Sequence, residues 1–247
     1  MSNLTRRPTR GFTLIELLTV IAIIGILAAI IIPTVGSVLK AAQRNVDGTS
    51  LRTIGSAAIT YASDNNGYLP DPLGTAGSQI TGGSQYFIWC GLIARSGDMA
   101  EPKMYFSKVD ATHDPGASLP TAIVTPTNKL QLDPTFVTKI PAFEFVGGLK
   151  QTDPSTSPVG YTRGLQRDGT WDLNNGPYND IGGFIYYLGS NLQYYKGSTN
   201  GLLTQTNGKP TSNLAQCVPA TTGGTQRFYG LVNDLGTAGG TIPDPAQ

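Results

Sequence analysis

From Phe12 to Ile32 the chain runs for 21 residues with almost nothing but apolar side chains, broken by two threonines, one glycine and a single carboxylate, Glu16. At ~1.5 Å per residue a helix of that length spans the roughly 30 Å hydrocarbon core of a bilayer. The stretch is therefore long enough to cross a membrane. Arg6, Arg7 and Arg10 precede it and the next basic residue is Lys40, so charge asymmetry predicts a cytoplasmic start and an exported remainder. A cleaved secretory signal has a shorter apolar core followed by a small-residue site. Here Ala28 and Ala29 run into three isoleucines and Pro33, a poor version of that site, and the small residue that stands out is Gly11, ahead of the apolar run. Cleavage there would remove the arginines and keep the helix.

Glu16 needs a partner. A carboxylate well inside a bilayer costs on the order of 3 kcal/mol, and the run contains no Lys, Arg or His. A cut after Gly11 would create one, because the new α-amine of Phe12 is largely cationic at neutral pH. It would stand four residues from Glu16 on the same helix, and the amine of one subunit could equally neutralise Glu16 of the next. The alternative is an incidental glutamate that snorkels to the membrane surface.

This combination of Gly11, Phe12-Thr13-Leu14-Ile15-Glu16, an apolar helix and Pro33 resembles the class III signal of type IV pilins and of type II secretion pseudopilins. The resemblance implies that a prepilin peptidase cuts between Gly11 and Phe12 and methylates the new amine. It also implies that Glu16 guides subunits onto a growing filament, and that Pro33 is a helix-kinking proline. The implied partners are that peptidase, copies of the chain and related subunits, a filament assembly platform and the bacterial inner membrane. The head would be periplasmic, or at the cell surface after assembly. In such filaments the stretch between a glycine and this proline can lose helicity, and residues 25–33 correspond to it here.

Beyond the membrane the helix is expected to reach Asp64, with Leu39, Ala42, Val46, Ser50, Ile54, Ala57 and Tyr61 as its apolar stripe and Lys40, Arg44, Asp47 and Arg52 mostly off it. A helix over residues 12–64 would be about 80 Å long. Gly25, Gly36, Gly48 and Gly55 each weaken it by ~1 kcal/mol relative to Ala. Asn65, Asn66 and Gly67 supply the stop. The organisation read from the chain is a leader over 1–11, an assembly helix over 12–35, an amphipathic continuation over 36–66 and a globular head over 67–247.

The head is rich in turn formers and poor in charge. Short strands are expected at residues 122–125, 143–146, 183–188, 192–195 and 228–232, with a hairpin around Gly189, Ser190 and Asn191. Residues 86–93 read equally as a strand or a short buried helix. The fold class expected is α+β, a long N-terminal helix whose second half packs on an antiparallel sheet with long loops.

Cys90 and Cys217 are the two cysteines. In an oxidising compartment a disulfide between them could contribute about 4 kcal/mol, and the alternative is two reduced core thiols. Asp168, Asp172, Asn174, Asn175, Asp180 and Asp234 are hard oxygen ligands. Calcium in a C-terminal loop is what the pseudopilin resemblance would allow, but the spacing fits no EF-hand, and solvated turn residues are the alternative. No metal or other cofactor is assigned.

Catalysis finds little support. His113 is the lone histidine and would have to carry any Ser-His-Asp or Cys-His chemistry by itself. No nucleotide-binding glycine motif occurs. Residues 67–247 carry 11 Lys and Arg against 13 Asp and Glu, which gives no broad attraction for nucleic acid. Tyrosines at 178, 186, 187, 194 and 195 read either as cross-strand aromatic pairs or as an adhesive surface. The functions expected are therefore a structural filament subunit, with a membrane-anchored module binding a glycan or an exported substrate as the alternative, and no enzymatic activity.

Overall fold

The computed structural model describes residues 12–97, 99, 101–110, 119–172, 174–178, 182–219, 225–230 and 241–243. The chain divides into two compact units, residues 1–42 and 43–247. Helix α1, Leu14–Asp64, contributes to both. It is helical through Gly25 and Pro33. It is also the one helix among the described residues long and apolar enough to cross a bilayer, and none of its most apolar window is buried.

The stop falls where the sequence places it. Asn65 donates its side-chain amide to the Tyr61 carbonyl, Asn66 and Gly67 take positive φ of 54° and 79°, and Gly67 N–H closes back on the Ala62 carbonyl at 2.8 Å. These contacts satisfy carbonyls that a helix end otherwise leaves open.

In the second unit the fold is α+β. Strands β3 (Phe143–Gly147), β4 (Pro158–Thr162), β5 (Gly182–Tyr187), β6 (Leu192–Lys196), β9 (Thr225–Tyr229) and β10 (Thr241–Pro243) form one sheet in the order β10-β9-β3-β4-β5-β6. Every neighbouring pair is antiparallel. The expected hairpin is β5–β6, with Ser190 at φ 61° in its turn. Two small ribbons form separate pairs, β1 (Val124–Thr125) with β2 (Asn128–Leu132) and β7 (Leu203–Thr204) with β8 (Pro210–Thr211). Strands β2, β4, β7, β8 and β10 were not expected from sequence. Of the stretch expected at 228–232, Phe228 and Tyr229 lie in β9, while residues 231 and 232 lie outside the described residues.

The ambiguous apolar stretch is helical, as α2, Gln85–Ser96, ended by Gly97 at φ 93°. It is buried almost all round, and contacts with β3 seat it. The Trp89 ring stacks on Phe145 with centroids 3.9 Å apart, Trp89 Nε1 donates to the Val146 carbonyl, and Tyr86 OH donates to the Phe143 carbonyl. Phe145 of β3 sits opposite Gly160 of β4, and Gly160 opposite Tyr186 of β5, so these three share one face of the sheet. The outer part of α1 packs on that same face through its glycines. A Cβ built at Gly55 would stand 2.1 Å from the Tyr186 ring, and one at Gly48 would stand 2.9 Å from the Phe184 ring. The glycines that weaken α1 as an isolated helix are what let β5 approach it.

The buried stripe of α1 differs from the one expected. Ile54, Ala57 and Tyr61 are buried as anticipated, but Leu39 and Val46 are 64% and 55% exposed, and Ala42 is exposed too. The covered line starts instead at Asp47 and Gly48 and continues through Leu51, Ile54, Gly55 and Ala58. Hydropathy favoured the larger side chains, whereas the aromatic rings of β5 select the smallest residues on the helix.

Candidate functional site

The first turn of α1 carries a closed set of hydrogen bonds. Thr13 precedes the helix, and its backbone N–H and hydroxyl both donate to Glu16 Oε2, at 2.9 and 2.7 Å. Glu16 N–H in turn donates to Thr13 Oγ1 at 3.3 Å. This is a capping box, a Thr and a Glu three residues apart that satisfy donors the helix start leaves open. The motif was legible in the sequence as Thr13-Leu14-Ile15-Glu16, yet reading Glu16 against Phe12 left Thr13 without a role.

Glu16 Oε1 accepts from no described group, so the local cap leaves half of the carboxylate for a further donor or cation. Phe12, four residues before Glu16, is 75% exposed. Gly11 lies outside the described residues. The large apolar side chains from Leu14 to Ile32 are exposed by 45% or more, including Leu17, Ile21, Ile24 and Ile31. An apolar surface of this extent is unfavourable in water by about 25 cal/mol per Å² and favourable in lipid or a helix bundle.

The head places the remaining candidates. Asp47 is 1% exposed on α1 and lies against two other parts of the head. Ser107 Oγ donates to its Oδ2 at 2.5 Å, Tyr178 OH donates to the same oxygen at 3.0 Å, and Gln43 donates to Oδ1 at 3.2 Å. Burial pushes the Asp47 carboxyl above the ordinary range, and the three donors only partly offset it. Nearby, fully buried Arg163 binds Asp110 through Nη2 at 2.5 Å and donates to the Asn175 and Pro141 carbonyls, each at 2.6 Å. These contacts tie together segments far apart in sequence, and their arrangement is that of a structural clasp.

Cys90 and Cys217 are both free and both buried, which corrects the disulfide considered first and matches the alternative of two reduced core thiols. Cys90 lies on α2 beside Tyr86 and Tyr105, whereas Cys217 lies near Tyr187 and Tyr195. Burial raises both thiols, Cys217 to about 12.

The oxygen ligands weighed for calcium are engaged in turns. Asp168 Oδ1 accepts from Thr170 N–H and Oγ1, while Asp172 accepts from Asn174 N–H and the Asn175 side chain. Among the described residues no group of three or more His, Cys, Asp and Glu is placed to hold a metal. Asp180, Asp234 and His113 lie outside the described residues.

The tyrosine group is mostly interior. Tyr178 serves Asp47, Tyr186 covers Gly55, and the Tyr187 and Tyr195 hydroxyls share a hydrogen bond at 2.6 Å. Tyr194, 36% exposed, packs on Phe184 across the β5–β6 pair. Packing against α1 and across the β5–β6 pair accounts for Tyr178, Tyr186, Tyr187 and Tyr195, and Tyr194 stays partly exposed.

Comparison with known proteins bears on the N-terminal segment. Residues 6–32 match the family model described as the prokaryotic N-terminal methylation motif. The chain is 41% identical over 63 residues to the type II secretion system core protein G of Pseudomonas aeruginosa, a match covering 26% of this chain and 44% of that one. It is 47% identical over 62 residues to the type IV wide pilus major component PilA4 of Thermus thermophilus, covering 25% and 47%. A third relative, the type II secretion system core protein G of Pectobacterium carotovorum subsp. carotovorum, is 37% identical over 59 residues, covering 24% and 38%. The chain thus spans less than half the length of the curated relatives it matches. No solved structure matches it. The motif and these relatives together show that the chain carries an N-terminal segment of the type found in type IV pilins and type II secretion pseudopilins.

Proposed function

We propose that this chain is a structural subunit of a pilus-like filament, either a type II secretion pseudopilus or a type IV pilus, processed between Gly11 and Phe12 by a prepilin peptidase. The observation that carries the reading is the start of α1. Glu16 is held by Thr13 through one carboxylate oxygen, with the other open toward the described residues, at the head of an apolar stretch of α1 none of which is buried.

Before assembly that helix crosses the inner membrane with the head on the periplasmic side. During assembly it moves from lipid into a bundle of like helices, an exchange of one apolar surrounding for another. The open oxygen of Glu16 then meets the methylated α-amine of a neighbouring Phe12, and pairing neutralises two charges in a medium of low dielectric constant. The assembly platform and related pilin-like subunits are the partners of this step. The head covers the outside of the filament and has no catalytic role.

Mass spectrometry of the native protein tests the processing step, with an N-terminus at methylated Phe12 expected. Glu16→Ala is expected to insert into membranes as the parent does and to be lost from sheared filaments. A native chain still beginning at Met1, or normal filament incorporation of Glu16→Ala, would overturn the reading.

A further inference from the structure

Where α1 ends, Tyr61 of that helix, Leu92 and Arg95 of α2, and Thr75, Ala76 and Gln79 of the intervening turn line a cleft of about 410 Å³. Arg95 is the cation of this cleft. Its Nη1 donates to Gln79 Oε1 at 3.3 Å, which fixes the guanidinium against the turn. Neither ion pair found among the described residues involves Arg95. A guanidinium carries five N–H donors in a planar fork, so most of its donor capacity is uncommitted among the described residues.

The neighbouring chemistry narrows what could fill the fork. Tyr61 and Thr75 add hydroxyls, while Leu92 and Ala76 give the cleft an apolar wall. Arg95 lies near enough to Tyr61 to oppose the upward push that burial gives the phenol, and Asp71 acts on Tyr61 in the opposite sense. Asp71 is itself engaged, accepting from Leu73 N–H and Tyr229 OH. With one cation lining the cleft and one carboxylate nearby, the local field suits a monoanion and disfavours a dianion such as phosphate.

We propose that this cleft binds a carboxylate, gripped by the Arg95 fork with its hydrocarbon portion against Leu92 and Ala76. Bidentate pairing with a planar carboxylate is the geometry that arginine favours. The volume suits a small organic acid or the last residue of a peptide, two sources of the same chemistry. The inference stands apart from the filament reading, because purified monomer in detergent micelles reports it.

The experiment is isothermal titration of the full chain in micelles with butyrate, with N-acetyl-trialanine bearing a free or an amidated C-terminus, and with inorganic phosphate. A Kd of about 0.1–5 mM is expected for butyrate or the free-acid peptide. Arg95→Gln is expected to weaken it at least about tenfold. Binding of butyrate alone assigns a small acid as the source; binding of the peptide, lost on amidation, assigns a chain terminus. Arg95→Lys keeps the charge without the fork and is expected to bind several-fold more weakly, which covers the case in which Arg95→Gln fails to fold. The proposal is overturned if neither carboxylate binds, if phosphate binds more tightly than both, if amidation has no effect on peptide binding in the absence of butyrate binding, or if both variants bind as the parent does.

Discussion

Gly55 of α1 lies flat against the ring of Tyr186 of β5, so close that a Cβ at position 55 would stand 2.1 Å from Tyr186 Cδ1. Tyr186 is itself fully buried, and its hydroxyl shares a hydrogen bond with Ser56 at 3.1 Å. The ring therefore has little freedom to yield. Gly55→Ala gains up to ~1 kcal/mol of helix propensity but forces overpacking that costs about 1–3 kcal/mol. A net loss of stability is expected in urea unfolding followed by the fluorescence of Trp89 and Trp171, both of which are buried. At Gly36 a Cβ meets nothing within 4 Å, so the same exchange there is expected to lack the penalty.

Asp47 gives the fold a pH signature. Its carboxyl is raised in the folded protein above its ordinary 3.8. Its contribution to stability is thus fully present below 3.8 and is lost as pH rises through the raised folded value. Asp47→Asn removes that loss, since one amide oxygen can accept from Ser107 and Tyr178 while the amide nitrogen donates to a rotated Gln43. The expected result is a stability difference, variant minus parent, that becomes more favourable to the variant from pH 4 to pH 7. Thermal unfolding across that interval measures it, and a pH-independent difference would contradict it. Asp47→Ala strands two buried hydroxyls and is expected to cost about 1–3 kcal/mol or more.

Arg163 should be among the least replaceable side chains of the head. Removing it leaves Asp110 buried without its cation and three backbone carbonyls without a donor. Arg163→Leu is expected to cost about 3–5 kcal/mol. Lys103→Ala, which breaks the exposed pair with Glu101, should lie within about 1 kcal/mol of the parent. The comparison is read from urea midpoints at constant slope.

The two thiols should be silent until the head opens. With Cys217 raised to about 12, only about one thiol in 10⁴ is ionised at pH 8. Native protein is expected to resist iodoacetamide and to take two labels after denaturation. A reductant is expected to leave the thermal midpoint unchanged. An intact mass lower by about two protons, with a reductant-sensitive midpoint, would show a bridge instead.

Much of this protein could be read along the chain because the forces involved act between near neighbours. The apolar run of residues 12–32, the stop at Asn65, Asn66 and Gly67, and the β5–β6 hairpin depend on residues a few positions apart, and all three appear as the sequence indicates. The Thr13–Glu16 cap belongs to the same class. Its signature is a Thr and a Glu three residues apart at the start of the apolar run. Residues 86–93 resisted assignment because a short, fully apolar segment carries no period, and only the Phe145 ring beneath Trp89 gives the helix its seat.

Sequence alone determined the membrane-length helix, its carboxylate, its methylation-type motif and the place where α1 stops. Tertiary structure decided which side of α1 is covered, why Gly48 and Gly55 are there, why Asp47 is interior and why the cysteines stay apart. Tyr178 reaches Asp47 across 131 residues and Arg163 reaches Asp110 across 53. The partner at such separations is chosen by how the sheet seats on the helix, a global packing solution that no local window of the chain contains.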